Sequence, residues 1–231
     1  MNNSLIVRLF RSISVSGIKA GIMIRRGKSN IRKEEYEAAW REFDRAILIN
    51  PYDYRAYYYR GNVRFYLDDY IGAIEDYSKC INYRPSFAEA YYSRGNSFFK
   101  LQKYKDALAE LDKSLEINPS LSVAYCYRGI TKYELHDLKG ALNDYSSAIK
   151  LDPFDAVSLY NRGNLKLELD DPRGALHDFN QAIKLDPKYA VAYVGRGNAK
   201  MQIASNSGAE VDWKKAEKLQ HAAEERVFGK N

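Results

Sequence analysis

From Tyr54 to Phe87 the chain alternates apolar and polar positions with helical period, and it does so twice. The stretch RAYYYRGNVRFYL carries one apolar face. The stretch YIGAIEDYSKCINY carries another, through Ala73, Ile74, Tyr77, Cys80 and Ile81. Two helices are predicted, separated at Asp68-Asp69. In a later copy the same break reads Asp171-Pro172, an acidic N-cap followed by proline in the first turn. The second helices end before proline. Steric conflict with the proline ring pushes Asn50, Arg84, Asn118, Asp152 and Asp186 out of helical geometry.

Those prolines, Pro51, Pro85, Pro119, Pro153 and Pro187, stand 34 residues apart without a slip. In phase with them run the pairs Arg60-Gly61, Arg94-Gly95, Arg128-Gly129, Arg162-Gly163 and Arg196-Gly197, and the alanines Ala73, Ala107, Ala141, Ala175 and Ala209. Such self-similarity marks stacked supersecondary units, each completed by its neighbour. Five units begin near Tyr54, Ala88, Ser122, Ala156 and Ala190. A weaker one precedes them, with Arg26-Gly27, Ala39, Phe43, Ala46 and Pro51 in register. The last has His221 in place of the proline, so its helix is expected to run on through Glu224 to Val227 as a polar cap. A mid-helix glycine costs about 1 kcal/mol against alanine, which close helix approach can offset. Each periodic glycine is therefore expected to face the alanine of its own unit.

In this order of aromatic, small and terminal proline residues the chain resembles the tetratricopeptide-repeat family. Tyr57, Gly61, Ala73, Tyr77, Cys80 and Pro85 fall on its signature positions, and each later unit matches similarly. The resemblance implies an all-α fold, an α-solenoid forming a right-handed superhelix of tandem helix-turn-helix units. The expected organisation is a basic amphipathic segment over 1–21, an array over 22–223, and a C-terminal extension over 224–231. The units are 20–53 (degenerate), 54–87, 88–121, 122–155, 156–189 and 190–223 (atypical).

One departure carries physics. The family usually has leucine where this chain has Arg60, Arg94, Arg128, Arg162 and Arg196. Sixteen residues after each lies an acid: Asp76, Glu110, Asp144, Asp178 and Asp212, with Arg26 and Glu42 continuing the rule. A ladder of structural ion pairs is predicted, because the planar guanidinium fork matches a carboxylate with two parallel hydrogen bonds.

In the resembled fold the first helices line a concave groove where partners lie. The resemblance places Asn62, Asn96, Asn164 and Asn198 there, with Ile130 breaking the series, and beside them Tyr58, Tyr92 and Tyr160. Amides offer donor and acceptor together, which suits a peptide backbone. Tyrosine suits interfaces. The basic clamp by which some members grip chaperone tails is absent, since its lysine position holds Tyr58 or Tyr92.

Charge sharpens the reading. The net +6 is local, for residues 1–33 hold eight Lys or Arg and no acid, leaving 28 basic against 30 acidic residues in the remainder. An array without a basic excess lacks the stripe that tracks phosphates, which disfavours nucleic acid. Within 1–21, Leu5, Ile6, Leu9, Phe10, Ile13 and Val15 alternate with Arg8, Arg11 and serines. That pattern suits an end-cap helix, an organelle transit peptide or contact with a membrane surface, and its apolar runs are too short to span a bilayer. Cys80 and Cys126 form no disulfide or zinc pattern and fit a cytoplasmic setting. His136, His177 and His221 do not cluster at metal-ligand spacing, and neither a nucleophile with its base nor a phosphate loop occurs. No catalytic residues, metal or cofactor are expected. The function expected is that of a non-enzymatic scaffold for an extended peptide or partner helix, the alternative being a tether that uses the basic N-terminus.

Overall fold

The computed structural model describes residues 3–204 and 206–228, and the side chains of 15–204, 206–222, 224 and 225. These residues form twelve helices and no strand. They divide into two compact units, Met1–Pro119 and Ser120–Asn231.

The first unit holds α1 (Asn3–Arg32), α2 (Tyr36–Ile49), α3 (Tyr54–Tyr66), α4 (Tyr70–Tyr83), α5 (Ala88–Lys100) and α6 (Tyr104–Ile117). Helices pack as α1/α2, α3/α4 and α5/α6, and each pair docks on the next through α2 on α3 and α4 on α5. The second unit holds α7 (Ser122–Glu134), α8 (Leu138–Leu151), α9 (Ala156–Glu168), α10 (Pro172–Leu185), α11 (Ala190–Gln202) and α12 (Asn206–Phe228). Its pairs are α7/α8, α9/α10 and α11/α12, joined through α8 on α9 and α10 on α11. Within each unit this is an all-α solenoid of tandem helix pairs.

Helix boundaries follow local chemistry. Asp69, Asp137 and Asp171 each accept a 2.9 Å hydrogen bond from the backbone of Gly72, Gly140 and Gly174, which satisfies an orphan donor of the first turn. Pro172 opens α10. Asn50, Arg84, Asn118, Asp152 and Asp186 cap the second helices from extended backbone, each donating its N–H to the carbonyl four residues back. The turn inside each pair carries a feature the sequence hides. Glu34, Asp68, Gln102, His136, Asp170 and Ala204 adopt φ near 60°, spaced 34 residues apart, and none is glycine. Around Asp68 the bonds are Asp69 N–H to Arg64 O at 2.9 Å and Asp68 N–H to Phe65 O at 3.1 Å, a Schellman closure of α3.

The side chains that meet the periodic glycines are not those of the alanines. A Cβ placed on Gly61 would sit 2.8 Å from the Tyr77 ring; on Gly129, 2.7 Å from Tyr145; on Gly163, 2.8 Å from Phe179. The residue one turn beyond each alanine crosses the glycine, as a ring at Gly61, Gly129, Gly163 and Gly197 and as Leu111 at Gly95. Ala107 and Ala141 contribute only carbonyl oxygens, at 3.2 and 3.3 Å, while all five alanines are fully buried.

At the N-terminus, α1 runs unbroken from Asn3 into the first helix of the weak repeat. Its Ala20 and Ile24 pack with Ala39, Phe43 and Ala46. The side chains of Leu5, Ile6, Leu9, Phe10 and Ile13 lie outside those described. No helix among the described residues is long and apolar enough to cross a membrane. At the other end α12 continues to Phe228, with His221 Nδ1 3.7 Å from Glu224.

Candidate functional site

Arg60 donates from Nε and Nη2 to Asp76 at 2.9 and 2.7 Å. Arg94 does the same to Glu110 (3.0 and 2.7 Å), Arg128 to Asp144 (2.8 and 2.7 Å), Arg162 to Asp178 (both 2.8 Å) and Arg196 to Asp212 (2.8 and 2.5 Å). The acids Asp76, Asp144, Asp178 and Asp212 are buried, and the arginines are mostly so. Arg60, Arg94, Arg128 and Arg196 also lie over Tyr57, Tyr91, Tyr125 and Tyr193, with guanidinium carbons 5.2 to 5.8 Å from the ring centres.

A second cation completes the arrangement. Lys132, Lys166 and Lys200 reach Asp144, Asp178 and Asp212 at 2.8 Å, and Arg64 reaches Asp76 at 3.4 Å. These residues stand four after the arginine, one turn along the same face. The spacing was visible in the sequence but goes unremarked when only one arginine and one acid are sought. Where Phe98 replaces the second cation, the acid is the longer Glu110, whose two oxygens both take Arg94. Burial alone pushes the Asp212 carboxyl up, but the hydrogen bonds from Arg196 and Lys200 outweigh it and hold the group below its ordinary range.

Four of these arginines also reach backward. Nη1 of Arg60, Arg94, Arg162 and Arg196 donates to Asp44, Ser78, Ser146 and Asn180, 16 residues upstream, at 2.7, 2.9, 3.2 and 2.9 Å. One guanidinium therefore clamps the second helices of two successive repeats. The rule fails at the weak repeat. Arg26 is exposed and, among the described residues, makes no pair with Glu42, which takes Arg45 at 3.1 Å. Glu42 Oε2 is buried without a partner. Asn30 stands where the other repeats place a second cation.

The asparagines divide into two kinds. Tyr77 Oη donates to Asn62 Oδ1 at 2.8 Å, and Trp213 Nε1 donates to Asn198 Oδ1 at 3.3 Å. Asn96 faces the register of Leu111, which has no donor; it is 7% exposed and its Oδ1 has no partner. Asn164 faces Phe179, likewise without a donor. Tyr58 and Tyr160 are half-buried in equivalent ring clusters. Tyr58 packs on Tyr77 and Phe87 (centroids 6.0 and 4.9 Å), Tyr160 on Phe179 and Tyr189 (6.0 and 5.3 Å). Tyr92 is half-buried on α5. Thus Tyr58 and Tyr160 spend much of their area bracing neighbouring repeats. Cys80 and Cys126 are buried free thiols, pushed by burial up to about 12 and about 11.

Between α7, α8 and α9 a cavity of about 240 Å³ opens, with Asn164, Asn161, Ile130, Leu165, Tyr145, Tyr133 and Glu134 around it. In the first unit a larger cleft of about 450 Å³ lies between Trp40, Leu67, Arg41 and Arg64, with Glu37 and Asp69 at its edge.

Repeat length, paired helices, buried alanines and stacked rings now stand together, and family models agree with them. A TPR repeat model matches residues 61–102, and a tetratricopeptide repeat model matches 88–121 and 156–189. The chain is a tetratricopeptide-repeat protein. No curated protein matches this tetratricopeptide-repeat chain in sequence. Among solved structures it resembles YrrB, described as a TPR protein with an unusual peptide-binding site, at 25% identity and TM-score 0.57 over 74% of this chain and 88% of that one. It resembles TTC0263, a thermophilic TPR protein of Thermus thermophilus, at 20% identity and TM-score 0.67, covering 79% and 99%. A chain of the APC/C Cut9-Hcn1 hetero-tetramer aligns at 16% identity and TM-score 0.80 over 90% of this chain and 43% of that one.

Proposed function

We propose that this tetratricopeptide-repeat protein is a scaffold that binds an extended peptide or partner helix along its first helices, and that it performs no catalysis. The observation that carries the reading is the cavity between α7 and α9. There Asn164, chosen from sequence for its place after the repeat glycine, meets open space beside Asn161 instead of an intramolecular donor. An amide so placed can bond a peptide main chain as donor and acceptor without restricting its side chains. Asn96 in the first unit also has an unpartnered oxygen, but a buried one. Asn62 and Asn198, already engaged by Tyr77 and Trp213, orient the surface and contribute their remaining N–H groups. The likeness to YrrB agrees with a peptide ligand.

The test is selection of displayed peptides on the full chain, followed by binding measurements with a variant carrying Asn96→Ala, Tyr92→Ala and Asn164→Ala. Peptides that bind the wild type and lose affinity for the variant support the groove. Equal binding to both moves the interaction to another surface.

A further inference from the structure

Two adjacent repeats each keep one half of a pairing that repeats 54–87 and 190–223 complete. Where the residue after the glycine is asparagine and the second helix offers a ring donor, the two bond: Asn62 with Tyr77, Asn198 with Trp213. Repeat 122–155 keeps the donor, Tyr145, but replaces the asparagine by Ile130. Repeat 156–189 keeps Asn164 but replaces the donor by Phe179. The Tyr145 ring is 3% exposed, and its hydroxyl makes no hydrogen bond to the described residues. Asn164 makes none either. Both leftover groups line the same cavity, of about 240 Å³.

Its charge is one-sided. Glu134 lies at the cavity, and Glu168 stands beside it, accepting a 2.8 Å hydrogen bond from Tyr133 Oη. The cations nearby in sequence are committed elsewhere: Arg128 and Lys132 to Asp144, Arg162 and Lys166 to Asp178. No Lys or Arg lines the cavity. Ile130 and Leu165 supply apolar walls, and Tyr133 a ring face.

From this arrangement we infer that the cavity is a specificity pocket for an arginine side chain of the bound peptide. This rests on the peptide-binding reading and adds its chemistry. The guanidinium carries five N–H donors, and three acceptors converge here: the Tyr145 hydroxyl oxygen, Asn164 Oδ1 and the Glu134 carboxylate. Its methylene stem lies against Ile130 and Leu165, and its weakly hydrated plane stacks on Tyr133. Burial raises the Tyr145 hydroxyl, so it stays protonated, and its hydrogen is free for a carbonyl of the same segment. An acidic side chain meets two carboxylates and no cation. A cavity this size holds one large side chain, below the range of sites for drug-sized ligands.

The test is an NMR titration of the isotope-labelled full chain with N-acetyl-arginine methylamide, reading the side-chain amide signals of Asn161 and Asn164. Lysine and glutamate analogues run beside it. The expected result is saturable shifts with the arginine compound, roughly fivefold or more weaker binding of the lysine compound, and none of glutamate. Tyr145→Phe with Glu134→Gln is expected to weaken the arginine compound about tenfold. Its melting curve should stay close to wild type, since phenylalanine already occupies this register at Phe179. Absence of shifts at both amides, an equal response to lysine or glutamate, or unchanged affinity in the double variant overturns the pocket. Displayed peptides that depend on Asn164 but show no arginine enrichment also overturn it, while leaving the peptide reading intact. Arginine shifts without any selected peptide do the reverse.

Discussion

Arg162 and Asp178 meet through two parallel hydrogen bonds, both 2.8 Å, although Asp178 is fully buried and the two residues lie on different helices. Taking a carboxylate out of water is unfavourable unless its lone pairs are filled, and here Arg162 and Lys166 fill them together. Because Arg162 Nη1 also holds Ser146 on α8, the pair ties one repeat to the one before it.

The costs of removing the two partners should therefore not add. Asp178→Leu and Arg162→Leu are each expected to cost about 3 kcal/mol, because a buried charge or its donors are left exposed to an apolar interior. The double change should cost clearly less than the sum, by about 1 kcal/mol or more. Urea unfolding of the four proteins checks this, and simple additivity would refute the coupling.

The same chemistry sets an acid limit. Asp212 has its carboxyl held below 3.8, so folding favours its ionised form. The sign follows: its contribution is complete above the unfolded value and is lost as pH falls through the lower folded one. Stability should decline below about pH 4. Asp212→Asn should lower stability near neutrality and flatten that decline, seen by thermal melting at a series of pH values. A steepness unchanged by the substitution would place the acid sensitivity elsewhere.

Gly163 lies under Phe179, with only 2.8 Å between a built Cβ and the ring. Alanine gains about 1 kcal/mol of helix propensity but must displace a fully buried side chain. A net loss of about 1 to 3 kcal/mol is expected for Gly163→Ala. A denaturant midpoint at or above wild type would show that the ring yields without penalty.

His136 holds a left-handed conformation, φ 61°, in the turn between α7 and α8. A residue with Cβ pays about 1 to 2 kcal/mol there, and glycine does not. After the added freedom of unfolded glycine, His136→Gly should still stabilise by about 0.5 to 1 kcal/mol. A melt that shows the opposite would mean that the imidazole contributes to the turn.

Much of the fold was legible because the chain repeats itself. The 34-residue interval, the prolines and the helical period set helix number and ends, since each depends on neighbours a few residues away. Arg60 with Asp76 was legible too, because the 16-residue spacing returned in every copy. Other features left weaker marks. The left-handed turn residues were hidden because Asp68, Gln102 and His136 carry no common side chain. The glycine contact was assigned to the wrong partner because Ala73 and Tyr77 share one helical face, and only packing decides which reaches Gly61. The failure at Arg26 depends on how α1 lies against α2.

Sequence alone determined the module, its period and its recurring charges, because backbone propensity, capping and apolar spacing act over short range. Tertiary structure alone decided which polar groups found partners. Tyr77 and Tyr145 occupy one register, yet the first is satisfied by Asn62 and the second opens into a cavity beside Ile130. A hydrogen bond needs two atoms within about 3 Å, and that distance is set by the docking of separate helices rather than by either residue's place in its own repeat.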